Sequence, residues 1–474
     1  MNILLLNLPS VPNSTTDRRQ RCTVKSPQNW IHPPIALAYL ASVVTEWNKA
    51  EIKLIDAVIE NQDIQQVING LNSFKPDLII APIGSYSFDW DFKQLKIIKD
   101  QLNCPVAVFG EAVTTFAKKF LENYEWVDFC IRGEPELAVS EIVNFLEDKK
   151  VIEQVPSIFY RHDGVIKSNE RKLVEDLDSI PFPDRSLLKN EKYHCLPFFS
   201  GLFTDFNTSR GCPYDCKFCT AKKFWGQGYR LRSPQNILDE IKECIDKFNI
   251  KQFFIPDDTF GANKQWLAEI IKGFKALDIK WALQTRVGIF SQETLNDMAE
   301  AGCVYIHYGV ESGSQNILDY YNKRSTIEQI ERAFEYSRRA GIETNATFII
   351  GSPEETHETA KQTIKLARKL KADYYHFSPL IPIPGSAFFD EFKEQGLLKH
   401  YDFENYVKPN IIFKGKHLTD SEINKYLAKA YRITVMNPFY VLRRLVKIIK
   451  KRDLVEFKIL FYGAWWTLKT FLRK

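Results

Sequence analysis

Cys212-Pro-Tyr-Asp-Cys216-Lys-Phe-Cys219 places three thiols in a CxxxCxxC spacing, directly after a strand-like segment that ends Asn207-Thr208-Ser209-Arg210-Gly211. Three thiolates suit a four-iron cluster in which one iron keeps no protein ligand and stays open to a substrate or cosubstrate. Structural zinc is the competing reading. It wants a fourth thiolate or imidazole, and the nearest ones, Cys195, Cys244 and His194, show no finger-like spacing. Disulfides fit poorly, because three close cysteines cannot pair evenly and the other six are scattered singly.

More side chains with chemical potential recur at the ends of apolar segments. Pro256-Asp257-Asp258-Thr259 sets two carboxylates side by side, which repel unless a cation or donor sits between them; alternatively Asp258 or Thr259 caps the next helix. Gln284-Thr285-Arg286 offers a guanidinium that either grips a carboxylate in bidentate fashion or lies solvated. Gly309-Val310-Glu311-Ser312-Gly313 holds a carboxylate in a glycine-bracketed turn, suited to ribose hydroxyls or serving backbone geometry alone. Gly351, in Phe348 to Thr356, permits close backbone approach, for which a plain strand-to-helix turn at Pro353 is the alternative. His307 and His376 lie inside strands and read as satisfied core histidines.

These positions need a scaffold, and the patterning supplies one. From about 201 to 390, six strand segments alternate with helical ones: Thr204 to Thr208, Gln252 to Pro256, Trp281 to Gln284, Val304 to Tyr308, Thr344 to Ile350 and Tyr374 to Phe377. Six βα units predict an incomplete parallel barrel, whose chemistry sits at the C-terminal strand ends where the cysteine loop falls. Residues 1–150 show the same alternation, with strands at Ile3 to Leu8, Ile52 to Ile55, Leu78 to Ala81, Val106 to Phe109 and Val127 to Ile131. This predicts a doubly wound parallel sheet binding ligands beyond its carboxyl ends. The loops there carry Asp56, Ser85, Gly110, Gly133 and Glu134. Between the two, 151–200 reads as an Asp163-Gly164 hairpin and a proline-spaced linker. A helical extension follows over 391–474.

The cysteine loop resembles the signature of the radical S-adenosylmethionine (SAM) enzymes. The resemblance implies a 4Fe-4S cluster on Cys212, Cys216 and Cys219, with SAM on the open iron and reductive cleavage to a 5′-deoxyadenosyl radical. It also implies Phe218 near the adenine, Asp257 or Asp258 at the SAM amine, Arg286 at a carboxylate, Glu311 at the ribose and Gly351 at the adenine edge. Pro382-Ile-Pro-Gly-Ser386 closes the rim in the family's manner. Residues 1–150 resemble the cobalamin-binding domain fused to many of these enzymes, through Pro33-Pro-Ile-Ala-Leu-Ala-Tyr-Leu40, Asp56-Ala57 and Val127 to Glu134. The DxHxxG motif is absent, implying a cobalt without a lower histidine. The fold class so implied is α/β: a flavodoxin-like sheet, a partial (β/α)6 radical SAM barrel and a helical extension.

The activity implied is cobalamin-dependent methylation of an unactivated carbon on a hydrophobic small molecule, with a lipid or tetrapyrrole as candidate substrates and flavodoxin or ferredoxin as electron donor. Radical oxidation or ring closure is the alternative, since Cys219 to Gly226 and Tyr229 to Pro234 look similar to the anaerobic magnesium-protoporphyrin monomethyl ester cyclase group. A noncatalytic iron-sulfur or corrinoid carrier is the reading from another class.

The 474 residues, 45% hydrophobic and 26% charged, are ordinary for a folded chain of two or three domains. Met1 to Pro9 lacks a basic flank and reads as a strand rather than a signal peptide, and no run of eighteen apolar residues exists. A cytoplasmic setting low in oxygen is expected. The net charge of +5 is uneven: Arg432 to Lys474 holds eleven Lys and Arg against Asp453 and Glu456, interleaved with Phe439, Leu442, Val446, Ile449, Phe457, Trp465, Trp466 and Phe471. Such a tail suits peripheral contact with the inner membrane face through 438–474, packing across the barrel, or a protein partner. No nucleic-acid partner is expected, because a basic tail alone carries little recognition.

Overall fold

The computed structural model describes residues 1–18, 23–26, 30–71, 73–195, 198–399 and 411–451. The N-terminal apolar runs pair in parallel. Strand β1 (Asn2–Asn7) lies between β2 (Glu51–Asp56) and β3 (Leu78–Pro82), followed by β4 (Val106–Phe109) and β5 (Phe129–Ile131). The order β2-β1-β3-β4-β5 is flavodoxin-like. Strands β1, β3 and β4 are apolar on both faces because helices cover both, whereas the outer strand β2 carries Glu51 and Lys53. Ile3 and Leu5 cluster with helices Ile35–Asn48 and Glu136–Leu146, whereas Leu4 and Leu6 cluster with Phe88–Leu102 and Glu111–Asn123.

Two features depart from the sequence expectation. The expected Asp163-Gly164 hairpin forms but belongs to the first sheet: β6 (Ile158–His162) and β7 (Val165–Ser168) continue it as antiparallel edge strands. A second antiparallel pair, Thr15–Arg18 with Thr23–Ser26, stands between β1 and the first helix, where the sequence pattern predicts no strand. Its Arg18 lies buried at the β1/β3 switch point, donating to the Leu8 carbonyl at 2.7 Å and pairing with Asp91 at 2.5 Å.

The second sheet runs β8 (Phe203–Asp205), β9 (Gln252–Ile255), β10 (Lys280–Arg286), β11 (Cys303–Glu311), β12 (Glu343–Ile350) and β13 (Tyr374–Pro379), all parallel and in chain order. It is an open six-stranded barrel. Its outer helices bury one amphipathic face each against Ile255, Leu283, Ile306 and Ile350. The connecting segment is firmly packed: Arg185 is buried, bonding Thr204 Oγ1 at 3.1 Å and Glu240 at 2.6 Å.

Helix Asp420–Thr434 packs on the β13 edge, where the Tyr431 hydroxyl and the backbone of Phe377 bond each other. Helix Pro438–Lys451 follows. The aromatic residues of 452–474 fall outside the described residues. Among the described residues no helix is long and apolar enough to cross a membrane.

Candidate active site

One cavity at the C-terminal ends of the barrel strands gathers most of the candidate residues. It is lined by Cys212, Cys216 and Cys219, by Tyr214 and Phe218 of the same loop, and by Asp258, Thr259, Gln284, Arg286, His307, Glu311, Lys323 and Thr347. The three thiols are half-buried and unbridged, and neither Cys195 nor Cys244 joins them. Among the described residues no three His, Cys, Asp or Glu side chains gather as ligands of a single ion. Cys212 Sγ is 3.1 Å from Thr259 Oγ1, and the Ala221 amide donates to Cys219 Sγ at 3.5 Å. Burial pushes the Cys216 thiol up, with Lys323 and Arg286 pulling against it.

The strand-end residues take up distinct positions. Arg286 ends β10; its guanidinium lies 3.5 Å over the Tyr214 ring, and its Nη2 donates to the carbonyls of Lys323 and Arg324 and to Ser325 Oγ at 2.8 Å. Glu311 sits at a register shift in β11 with φ +67, a left-handed conformation unusual for a glutamate and of the kind held at functional sites. Lys323 pairs with it at 2.7 Å, both side chains buried. Phe218 packs edge-on to Tyr321 at 5.6 Å, beneath the Lys323 ammonium.

Several expectations are corrected. Asp257 does not reach the cavity: it is buried and accepts from the Thr208 amide at 2.9 Å and from the Thr208 and Ser209 hydroxyls at 2.5 Å. Desolvation lifts its pKa to about 6 against those bonds. Only Asp258 of the pair lines the site, accepting from Trp225 Nε1 at 2.7 Å. Gly351 is absent from the lining; at φ +97, a Cβ there would stand 2.6 Å from Ile423 of the C-terminal helix. Conversely, His307 is no core histidine, since it lines the cavity with Nε2 at 2.5 Å from Thr347 Oγ1. Gln284, Lys323 and Thr347 were missed. Alternation along β10 and β12 marks the first and last, while Lys323 arrives on a loop without local signal.

The N-terminal candidates divide likewise. Ser85 and Glu111, with Tyr86 and Thr115, line a cavity closed on the barrel side by Ile381, Ile383 and Pro384. Gly110, at φ +126, lets the chain pass where a Cβ would stand 2.7 Å from the Ile83 carbonyl. Asp56 is committed internally, accepting from Asn7 at 2.7 Å and Tyr193 at 2.9 Å. Gly133 and Glu134 were expected beside a cofactor; instead they meet the cluster loop. A Gly133 Cβ would stand 2.7 Å from the Phe224 carbonyl, and Glu134 accepts from Arg210 at 3.0 Å and from Arg230.

Residues 206–367 match the Radical SAM superfamily. Over 413 residues the chain is 32% identical to an uncharacterised methyltransferase, PH0819, of Pyrococcus horikoshii, covering 86% of this chain and 88% of the relative. The chain belongs to the radical SAM superfamily. It is similar at 30% identity to the anaerobic magnesium-protoporphyrin IX monomethyl ester cyclase of Rubrivivax gelatinosus, over 87% of this chain and 75% of that one. In fold it is similar to the cobalamin-dependent radical SAM enzyme OxsB, with TM-score 0.74 at 18% identity over 97% of this chain and 70% of that one. The radical SAM methyltransferase TsrM of Kitasatospora setae gives TM-score 0.65 at 16% identity, over 83% and 78%. As a radical SAM enzyme the protein uses a 4Fe-4S cluster and SAM. The donor set fits: three thiols with a common cavity suit a cluster that keeps one iron open.

Proposed function

We propose that this radical SAM enzyme is a cobalamin-dependent methyltransferase acting at an unactivated carbon of a small molecule. The observation that carries it is the junction of the two sheets. The loops after β3 and β4 face the barrel rim across a cavity lined by Ser85, Glu111, Thr115, Ile383 and Pro384, beside the loop that bears the thiols. On this reading the flavodoxin-like sheet is the corrinoid-binding unit, and residues 201–390 form the radical-generating one. When bound, the cluster and corrinoid supply an electron that cleaves SAM and a methyl group for transfer.

The protein's own groups position and exclude. Cys212, Cys216 and Cys219 hold the cluster. Arg286, its Nη2 committed to the 323–325 loop and its face to Tyr214, keeps Nε and Nη1 for the SAM carboxylate. Asp258 meets the amine, Phe218 the adenine and Glu311 the ribose, with Lys323 balancing the Glu311 charge. His307, Gln284 and Thr347 face the substrate.

The test is anaerobic reconstitution with cluster and cobalamin, then SAM, reductant and a substrate-containing cell extract, with mass spectrometry of the nucleosides. Both 5′-deoxyadenosine and S-adenosylhomocysteine are expected. Deoxyadenosine alone moves the reading to oxidation or ring closure, which the similarity to the cyclase favours as the second reading. The finer proposals are a tetrapyrrole or lipid substrate, flavodoxin or ferredoxin as donor, and peripheral membrane contact. For the last, helix Pro438–Lys451 points Phe439, Leu442, Val446 and Ile449 outward, the first 81% exposed, while Arg443, Arg444 and Lys447 hold its other face to the barrel. Vesicle co-sedimentation that persists after deleting 438–474 would count against it.

A further inference from the structure

Both ends of the cysteine loop are tied to the other domain. Arg210, two residues before Cys212, is buried and donates to Glu136 at 2.6 Å and to Glu134 at 3.0 Å; these carboxylates follow β5 of the N-terminal sheet. Arg230, on the strand that pairs with Ser209–Gly211, completes the cluster of charges by bonding Glu134 and the Trp225 carbonyl. At the other end Thr220, next to Cys219, donates to Glu111 at the start of the helix after β4, and Ser85 donates to the same carboxylate at 3.1 Å. Burial alone would raise the Glu134 pKa, but Arg210 and Arg230 hold it below the usual range. Two carboxylates and two guanidiniums, with Arg171 at their edge, therefore form a water-poor group on the segments that flank the cysteine loop, where charge is little screened.

We infer that Glu134, Glu136, Arg210 and Arg230 are positioning residues that set the placement and reduction potential of the cluster from the neighbouring domain, with Glu111 and Thr220 fixing the loop's far end. The inference needs only the cluster, whichever reaction the enzyme performs. Charge gives it a signature that loss of structure lacks. Arg210→Met removes one positive charge from the group and disfavours the added electron. Glu136→Gln removes one negative charge and favours it. The two variants shift the potential in opposite directions.

The test is a redox titration of the reconstituted full-length protein, followed by electron paramagnetic resonance with and without SAM. Expected are a lower midpoint for Arg210→Met, a higher one for Glu136→Gln, and no shift for Arg444→Met, whose buried ion pairs lie near the opposite, N-terminal ends of β12 and β13. If Arg210→Met assembles no cluster, assembly restored by Arg210→Lys supports positioning. Wild-type potentials and spectra in both folded variants, shifts of the same sign, or an equal shift in Arg444→Met overturn it.

Discussion

At the scale of single residues, the site divides between side chains that face the cavity and neighbours that support them. Asp257 and Asp258 are adjacent, yet one secures the start of the cysteine loop through Thr208 and Ser209 while the other lines the cavity. Alternation at a strand end sends successive side chains to opposite sides, and nothing in the dipeptide says which goes where. Replacing His307 by phenylalanine should leave cluster content and its SAM-dependent spectrum intact while slowing product formation about tenfold or more, the scale of a lost positioned polar group; a cluster that fails to assemble would show the histidine to be structural. Asp56 offers a pH test. Burial, against bonds from Tyr193 and Asn7, lifts its pKa from 3.8 to about 6, so ionisation costs the folded state. Its stabilising contribution is complete below pH 3.8 and lost as pH rises through about 6. Asp56→Asn should therefore gain on wild type across that window by about 2–3 kcal/mol at most, read from urea unfolding at each pH.

At the scale of elements, glycine geometry marks where pieces must approach closely. Gly351 looked like a cofactor contact by position, but the helix Asp420–Thr434 accounts for it. Gly351→Val meets Ile423 and forces a side chain into a left-handed backbone, so a loss of about 1–3 kcal/mol in unfolding free energy is expected. Strand segments were legible because parallel strands covered on both faces read as apolar runs, and β4 matches the expected span at both ends. The antiparallel pair Thr15–Arg18 with Thr23–Ser26 was not. Its residues are polar except Val24, and Asp91, which holds Arg18, lies more than seventy positions away.

At the scale of the whole molecule, ion pairs buried between distant segments join the parts. Arg444 reaches from the C-terminal helix to Asp373 at 3.4 Å and Glu343 at 3.8 Å, at the starts of β13 and β12. Removing it takes one guanidinium from carboxylates that keep Lys447 as a cation, and Arg444→Met should cost about 1–3 kcal/mol by urea denaturation. His32, from the segment ahead of the first helix, hydrogen-bonds Asp205 of β8 at 2.8 Å and so links the N-terminal domain to the barrel. His32→Phe with Asp205 intact should lower the melting temperature more than the double variant with Asp205→Leu, because a lone buried carboxylate costs more than an apolar pair.

The sequence by itself determined the thiol loop, the family resemblance, the succession of strands along the chain and the two-sheet α/β plan. Each rests on local spacing or on a periodicity that neighbouring residues carry. Tertiary structure alone decided which polar side chains face the cavity and which tie the domains together. Glu134 is the plainest case: beside Gly133 it resembled a cofactor contact, and only the approach of Arg210 and Arg230 makes it a brace for the cysteine loop. A buried charge is defined by the partner that meets it, and the chain brings that partner from 76 positions away.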